Sequence, residues 1–278
     1  MTIAIRRFLF AFSILVTLLS CKKEQSSGTS TSLPTSASQL RIAAASDLQF
    51  ALPELVAQYE KQSPGGKLAI TYGSSGNFFA QIQNGAPFDL FFSADVNYPR
   101  ALVLARQAET DSLQIYAVGH LVLWLPSDSP LDPSAGLTIL LDPRIQKIAI
   151  ANPDHAPYGR AAVAALRGAG FYDQLKRKLV LGENISQAAQ FVQSGSAQAG
   201  LLAQSLTFSP AMKSGKFWEV PSDRYPAIEQ AVVLLSSSPN KQFAQSFLAF
   251  LKTPRARTIL ERYGFFLPPV APAEKHKL

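Results

Sequence analysis

The sequence predicts an α/β protein folded as two lobes with a ligand cleft between them, and three observations carry that reading. Strand-like apolar runs alternate with helical ones from 40 to 106, the pattern of parallel strands crossed over by helices. A longer apolar stretch, 113–125, is broken at Gly119 and His120 and followed by Pro126, Pro130 and Pro133, after which a second alternating block begins. Tyr225-Pro226 then leads into one more strand and two closing helices, so the chain crosses between the blocks near 119–123 and again near 227–230. Two crossings allow a hinge, and a ligand held at strand ends between the lobes would drive closure.

The N-terminus is not part of either lobe. Arg6 and Arg7 precede an apolar run from Phe8 to Leu19, too short for a comfortable bilayer span and built like an export signal. Leu18-Leu19-Ser20-Cys21 resembles the bacterial lipobox, which implies removal of residues 1–20 and lipidation of Cys21. The plainer reading is an ordinary signal or short anchor with an incidental cysteine. Cys21 is the single cysteine of the chain, so no internal disulfide can form. Residues 21–39, rich in Ser and Thr, read as a flexible tether.

In the first block the expected strands are 40–45, 67–72 and 88–92, each followed by a helix, at 48–61, 77–83 and 97–106. Pro53 should kink the first helix or delay its regular part to about Ala51. The second block reads as strands 147–151, 179–181 and 198–202, with helices 159–168 and 185–193. Strand 231–235 and helices 242–251 and 255–263 close the fold. The lobes are therefore expected at 40–121 with 228–268, and at 122–227, leaving 269–278 as a tail.

Of the formal charge of +7, Arg6, Arg7 and the residues of the tether and tail account for four, leaving +3 on the folded part. No basic stripe interleaved with aromatics is present, which argues against nucleic acid. His120 and His155 have no carboxylate or cysteine partners at ligand spacing, so neither is expected to hold a metal.

The chemistry lies in four turns. Ala43-Ala44-Ala45-Ser46-Asp47, Tyr72-Gly73-Ser74-Ser75-Gly76, Asn152-Pro153-Asp154-His155-Ala156-Pro157-Tyr158-Gly159 and Gly182-Glu183-Asn184-Ile185-Ser186 each place small or polar residues between a strand and a helix start. Helix starts present unpaired N–H groups and partial positive charge, so four that converge would trap an anion. None contains lysine or arginine, which leaves neutral donors to select the ligand by hydrogen-bond count and cavity size.

Each residue also has a bland reading. Ser46 and Ser75, taken singly, are helix N-caps worth about 1 kcal/mol each. Tyr158 is either a cavity wall or a surface tyrosine. Asp89 and Asp95 bracket a strand end and suggest acid/base chemistry at first sight, but no nucleophile motif accompanies them and capping is the better account.

Six collinear segments carry a family resemblance: Ala43 to Leu48, Tyr72 to Gly76, Gly85 to Asp95, Asn152 to Gly159, Gly182 to Gln187 and Arg262 to Phe265. Together they resemble the periplasmic molybdate-binding proteins of ABC transporters, over nearly the whole folded part. The resemblance implies a type II periplasmic binding protein holding tetrahedral molybdate or tungstate without a counter-ion. By motif, Ser46 and Ser75 match serines that donate through hydroxyl and N–H groups. Tyr158 and Ile185 match main-chain donors from the second lobe. Asp47 would donate its backbone N–H with the carboxylate turned away, and Ser74 is a further candidate. A tyrosine hydroxyl that some members supply is missing, since Gly200-Leu201-Leu202 is followed by Ala203.

The implied protein is not an enzyme and has no cofactor. It is a monomeric lipoprotein on the periplasmic or extracellular face, held to a membrane through Cys21 and partnered by an ABC permease. The alternatives are a binding protein for another oxyanion such as sulfate, or an exported serine hydrolase using Ser46 or Ser75, for which no Gly-x-Ser-x-Gly elbow is present.

Overall fold

The computed structural model describes residues 38–63 and 66–267. The signal segment, Cys21, most of the tether and the tail 269–278 lie outside the described residues. The first block comprises β1 (Ser38–Ala45), α1 (Ala51–Gln62), β2 (Gly66–Gly73), α2 (Ser75–Gln83), β3 (Leu90–Ser93), α3 (Asn97–Leu104) and β4 (Gln114–Gly119). The second comprises β5 (Leu121–Leu125), β6 (Ile148–Ala151), α4 (Pro157–Gly168), α5 (Tyr172–Leu175), β7 (Leu179–Gly182), α6 (Ile185–Gln193), β8 (Ala199–Ala203), α7 (Gln204–Thr207) and β9 (Lys216–Glu219). β10 (Ile228–Leu234), α8 (Lys241–Leu251) and α9 (Pro254–Arg262) complete the chain.

Two five-stranded sheets result, ordered β2-β1-β3-β10-β4 and β7-β6-β8-β5-β9. The strands β1, β2 and β3 run parallel, as do β6, β7 and β8. β10 and β5 are antiparallel to their neighbours, so the sheets are mixed rather than purely parallel. The reason is the crossing: a chain arriving from the other lobe enters its sheet from the opposite end. One crossing lies at His120, between β4 and β5, and the other in the segment joining β9 to β10.

The central strands are nearly continuous apolar runs because both faces are covered. β3, β5, β6 and β8 are buried throughout. On one side of the first sheet α1, α8 and α9 contribute Leu52, Leu55, Phe247 and Ile259, with the Tyr59 ring edge-on to Phe247 at 5.1 Å. On the other, α2 and α3 contribute Phe78, Ile82 and Leu102. Trp124, Ile150, Tyr158, Leu166 and Val192 belong to the second core.

Several boundaries differ from expectation. β1 begins at Ser38, paired with Gly66, so the last two residues assigned to the tether belong to the sheet. The delay expected at Pro53 is met, by contrast: the regular part of α1 begins at Ala51, Pro53 falls in its first turn, where its missing N–H costs nothing, and a separate 3-10 turn, Ser46–Leu48, precedes the helix. The proline-rich connection contains a further 3-10 stretch, Pro133–Leu141, bent at Gly136. β9 was not expected: Lys216, Phe217 and Glu219 are all exposed, so no alternation betrays the strand.

Candidate functional site

The 3-10 turn after β1 and the helices α2, α4 and α6 all begin at the C-terminal ends of parallel strands, two from each sheet. Their starts enclose one hollow with a cavity volume of about 10 Å³, far below the roughly 300–1,000 Å³ typical of pockets for drug-sized ligands. Ser46, Asp47, Ser74, Ser75, Tyr158 and Ile185 all line it, among small neighbours such as Ala45, Gly73 and Ala94. No lysine or arginine is in the lining.

The two serines do not act as the caps their positions suggest. The N-cap of α2 is Ser74, whose Oγ accepts the Asn77 N–H at 3.4 Å. Ser75 is the first helical residue, fully buried, and its Oγ accepts the Ala94 N–H at 2.9 Å. Ala45 occupies the cap position before Ser46, and the Ser46 hydroxyl instead reaches across the cleft to Asn184 Oδ1 at 3.2 Å. The N–H groups of Ser75, Tyr158 and Ile185 stand in first helical turns, where no intrahelical carbonyl is within reach. Asn184 caps α6 by accepting the Gln187 N–H, which settles the local geometry at Ile185.

Tyr158 is a buried wall rather than a surface residue, 2% exposed. Its hydroxyl donates to Asp47 Oδ2 at 3.0 Å, and the Gln230 amide donates to the same oxygen. Tyr116 in turn donates to Gln230 Oε1 at 2.9 Å. The Asp47 carboxylate is thus held toward the crossing strands. Burial pushes its pKa up to about 6, opposed by hydrogen bonds from Gln230, Tyr158 and the nearby backbone. Burial and the neighbouring carboxylate push both tyrosines well above their ordinary range.

The cleft is closed by contacts that link the two lobes. Ser186 Oγ donates to the Ser46 carbonyl at 2.9 Å and Ser205 Oγ to the Asp47 carbonyl at 2.8 Å. At the rim the Gly76 N–H donates to the His155 carbonyl at 2.9 Å, and a Cβ at Gly76 would lie 2.6 Å from that oxygen. Arg160 pairs with Asp95 at 2.6 Å and also reaches the Tyr98 hydroxyl. Asp89, by contrast, is structural: it accepts the Arg41 N–H and the Ser238 hydroxyl.

Ser74, His155 and Glu183 have the residue types of a hydrolytic triad, but their geometry is that of a clasp. Ser74 Oγ meets His155 Nδ1 at 2.9 Å while already serving as the cap acceptor. Glu183 is 3.7 Å from Nε2 and mostly exposed, too distant for the hydrogen bond that would orient a base. Arg160, Ser205 and Gln230 carry no signal in the sequence as site residues. His155, Asn184 and Ser186 lie in two of the four turns without being singled out there as ligands, and Asp95 reads as a capping residue.

Residues 40–266 match the family model described as bacterial extracellular solute-binding protein. A molybdate-binding protein of Azotobacter vinelandii is 36% identical over 83% of this chain and 91% of its own length. One from Rhodobacter capsulatus is 36% identical over 84% of this chain and 90% of its own. The solved structure of an Azotobacter vinelandii periplasmic molybdate-binding protein superposes with a TM-score of 0.78 at 35% identity, covering 83% of this chain and 100% of that one.

Proposed function

This chain belongs to the family of bacterial extracellular solute-binding proteins, and from that premise we propose that it captures molybdate or tungstate and delivers the anion to an ABC permease. One observation carries the reading: the starts of four structural elements, two in each lobe, line a single small hollow with neutral donors and with no lysine or arginine among its lining residues. The Ser75 hydroxyl, the Ser46 hydroxyl once it turns from Asn184 Oδ1, and the N–H groups of Ser75, Tyr158 and Ile185 are the proposed ligands, with the Asp47 N–H beside them and Ser74 forming part of the wall.

A dianion strengthens each such bond to about 1.5–3 kcal/mol, so several together support tight binding after desolvation and closure are deducted. Sulfate is smaller and leaves some donors out of reach, at about 1–3 kcal/mol for each one unpaired. Hydrogen phosphate brings a proton, which a pocket of donors has no acceptor to receive, and Asp47 Oδ2 is already engaged by Tyr158 and Gln230. Cys21, outside the described residues, is the proposed lipid attachment point, and the protein is proposed to act as a monomer.

Calorimetric titration with molybdate, tungstate, sulfate and phosphate tests the assignment. Tight binding of the first two and weak or no binding of the others is the expected result. Binding of sulfate or phosphate alone would transfer the protein to another oxyanion.

A further inference from the structure

Asp47, Tyr158 and Gln230 form a buried cluster that no oxyanion-donor role requires. Asp47 comes from the turn after β1, Gln230 from β10 in the same lobe, and Tyr158 from α4 in the other. The Tyr158 hydroxyl lies 3.0 Å from Asp47 Oδ2 and 3.3 Å from Gln230 Nε2, so carboxylate, amide and phenol meet at one point on the lobe interface. Gly119, the last residue before the crossing, makes room for them: a Cβ there would sit 2.1 Å from the Tyr158 oxygen and 2.9 Å from Gln230 Nε2. The cluster is therefore packed against the hinge itself.

We propose that the Asp47 carboxyl is a proton-sensitive latch, which engages the Tyr158 hydroxyl on lobe closure and makes closure, and with it anion capture, more favourable when the carboxyl is protonated.

The physical basis is the change of surroundings. Closing the lobes shuts the carboxyl into an interface where it is 1% exposed. Oδ1 has no hydrogen-bond partner there, so half of an ionised carboxylate would be buried uncompensated. The titratable groups that face it are Tyr158 from α4 and Tyr116 from β4, both phenols that stay neutral, and β10 contributes the neutral Gln230. From α6 and α7 come Ser186 and Ser205, bonded to the main chain of the same turn. No cation stabilises the charge from any of these elements. With the lobes apart the carboxyl is in water and titrates in its ordinary range near 4. Closure raises it to about 6. Proton uptake on closing follows between those values. A dianion entering the same hollow adds repulsion of the same sign.

The latch rests on the molybdate reading for its natural ligand, and the test separates the two. The full chain is titrated with molybdate from about pH 7.5 to about pH 5 in two buffers of different ionisation heat, as wild type, Asp47→Asn and Tyr158→Phe. Wild type is expected to bind about tenfold more tightly at the acid end and to take up protons on binding. Asp47→Asn should show neither effect, and Tyr158→Phe, which keeps the ring and the main-chain N–H but removes a hydrogen bond that favours the ionised carboxylate, should show a steeper slope. Equal pH slopes and equal proton uptake in wild type and Asp47→Asn would overturn the latch while leaving the molybdate reading intact. If no variant binds molybdate, that reading fails and small-angle scattering of the ligand-free protein decides the latch. Compaction of wild type, but not of Asp47→Asn, on acidification supports it, and identical profiles sink it.

Discussion

Ser75 Oγ accepts the Ala94 N–H at 2.9 Å, which leaves the hydroxyl proton as the part of the side chain free to be given away. A single oxygen thus fixes the loop after β3 and presents a donor to the hollow. Ser75→Ala should weaken anion binding by about 10- to 100-fold, the equivalent of a charge-assisted hydrogen bond. It should also lower unfolding stability by about 1–3 kcal/mol, because the buried Ala94 N–H loses its acceptor. Calorimetry and thermal melts of the same sample read both effects.

Ser46→Ala removes contacts across the cleft. Its hydroxyl donates to Asn184 Oδ1, an atom that retains the Gln187 N–H as a partner, and its Oγ accepts the buried Ser186 N–H at 3.4 Å. Binding should fall by a similar factor, and stability by about 1 kcal/mol, since the bond lost to Ser186 is long. Unchanged affinity and an unchanged melting temperature would contradict this role.

Asp47 gives the stability curve a definite sign. Its pKa in the closed protein, the form that bound anion holds, stands at about 6 against an unfolded value near 4, so the curves are compared at saturating molybdate. The stability carried by the neutral carboxyl is therefore complete below about pH 4 and is lost as pH rises through about 6. Asp47→Asn should remove this slope, so its melting temperature should gain on wild type between those limits, by up to roughly 3 kcal/mol in stability. Parallel curves for the two proteins would refute the assignment.

At the rim, Arg160→Ala removes both the pair with Asp95 and the contact with Tyr98. The pair is half-buried, so closure should weaken by about 0.5–2 kcal/mol, with a matching loss of affinity that shrinks in high salt. Titrations at low and high ionic strength check both the size and the salt dependence.

Gly119→Ala places a methyl group 2.1 Å from the Tyr158 oxygen. The phenol cannot stay where it is, and overpacking of this kind costs about 1–3 kcal/mol. Affinity for the anion should drop even though residue 119 does not line the hollow, a result that melting and titration together would establish.

The sequence made the four helix starts legible because each is written locally. Glycine, serine, asparagine and proline punctuate the chain within a few residues of the turns they form, and Asn184 together with Gln187 marks the start of α6 at Ile185. Which of two adjacent serines caps α2 was not legible, since Ser74 and Ser75 have the same chemistry and only the position of the Ala94 N–H separates them. Gln230 was invisible as a site residue for another reason. Its partner Asp47 is 183 positions away, and a polar side chain in a buried strand has no local signature. The orientation of β10 likewise depends on where the chain re-enters its sheet, which no window of sequence contains.

A single residue, His120, separates β4 from β5. One residue supplies two soft torsions, so the halves are mounted on an axle rather than strung on a leash. The second strap between them is pinned close by, where the Tyr225 hydroxyl accepts the Leu121 N–H at 3.1 Å. Any swing must then pivot beside the Asp47 cluster, where displacement is least, and open widest at the far lip where Gly76 touches His155. The entrance can gape fully for a small rotation, while beside the pivot even a slight displacement is enough to break the 3.0 Å bond between Tyr158 and Asp47 and admit water to the carboxyl.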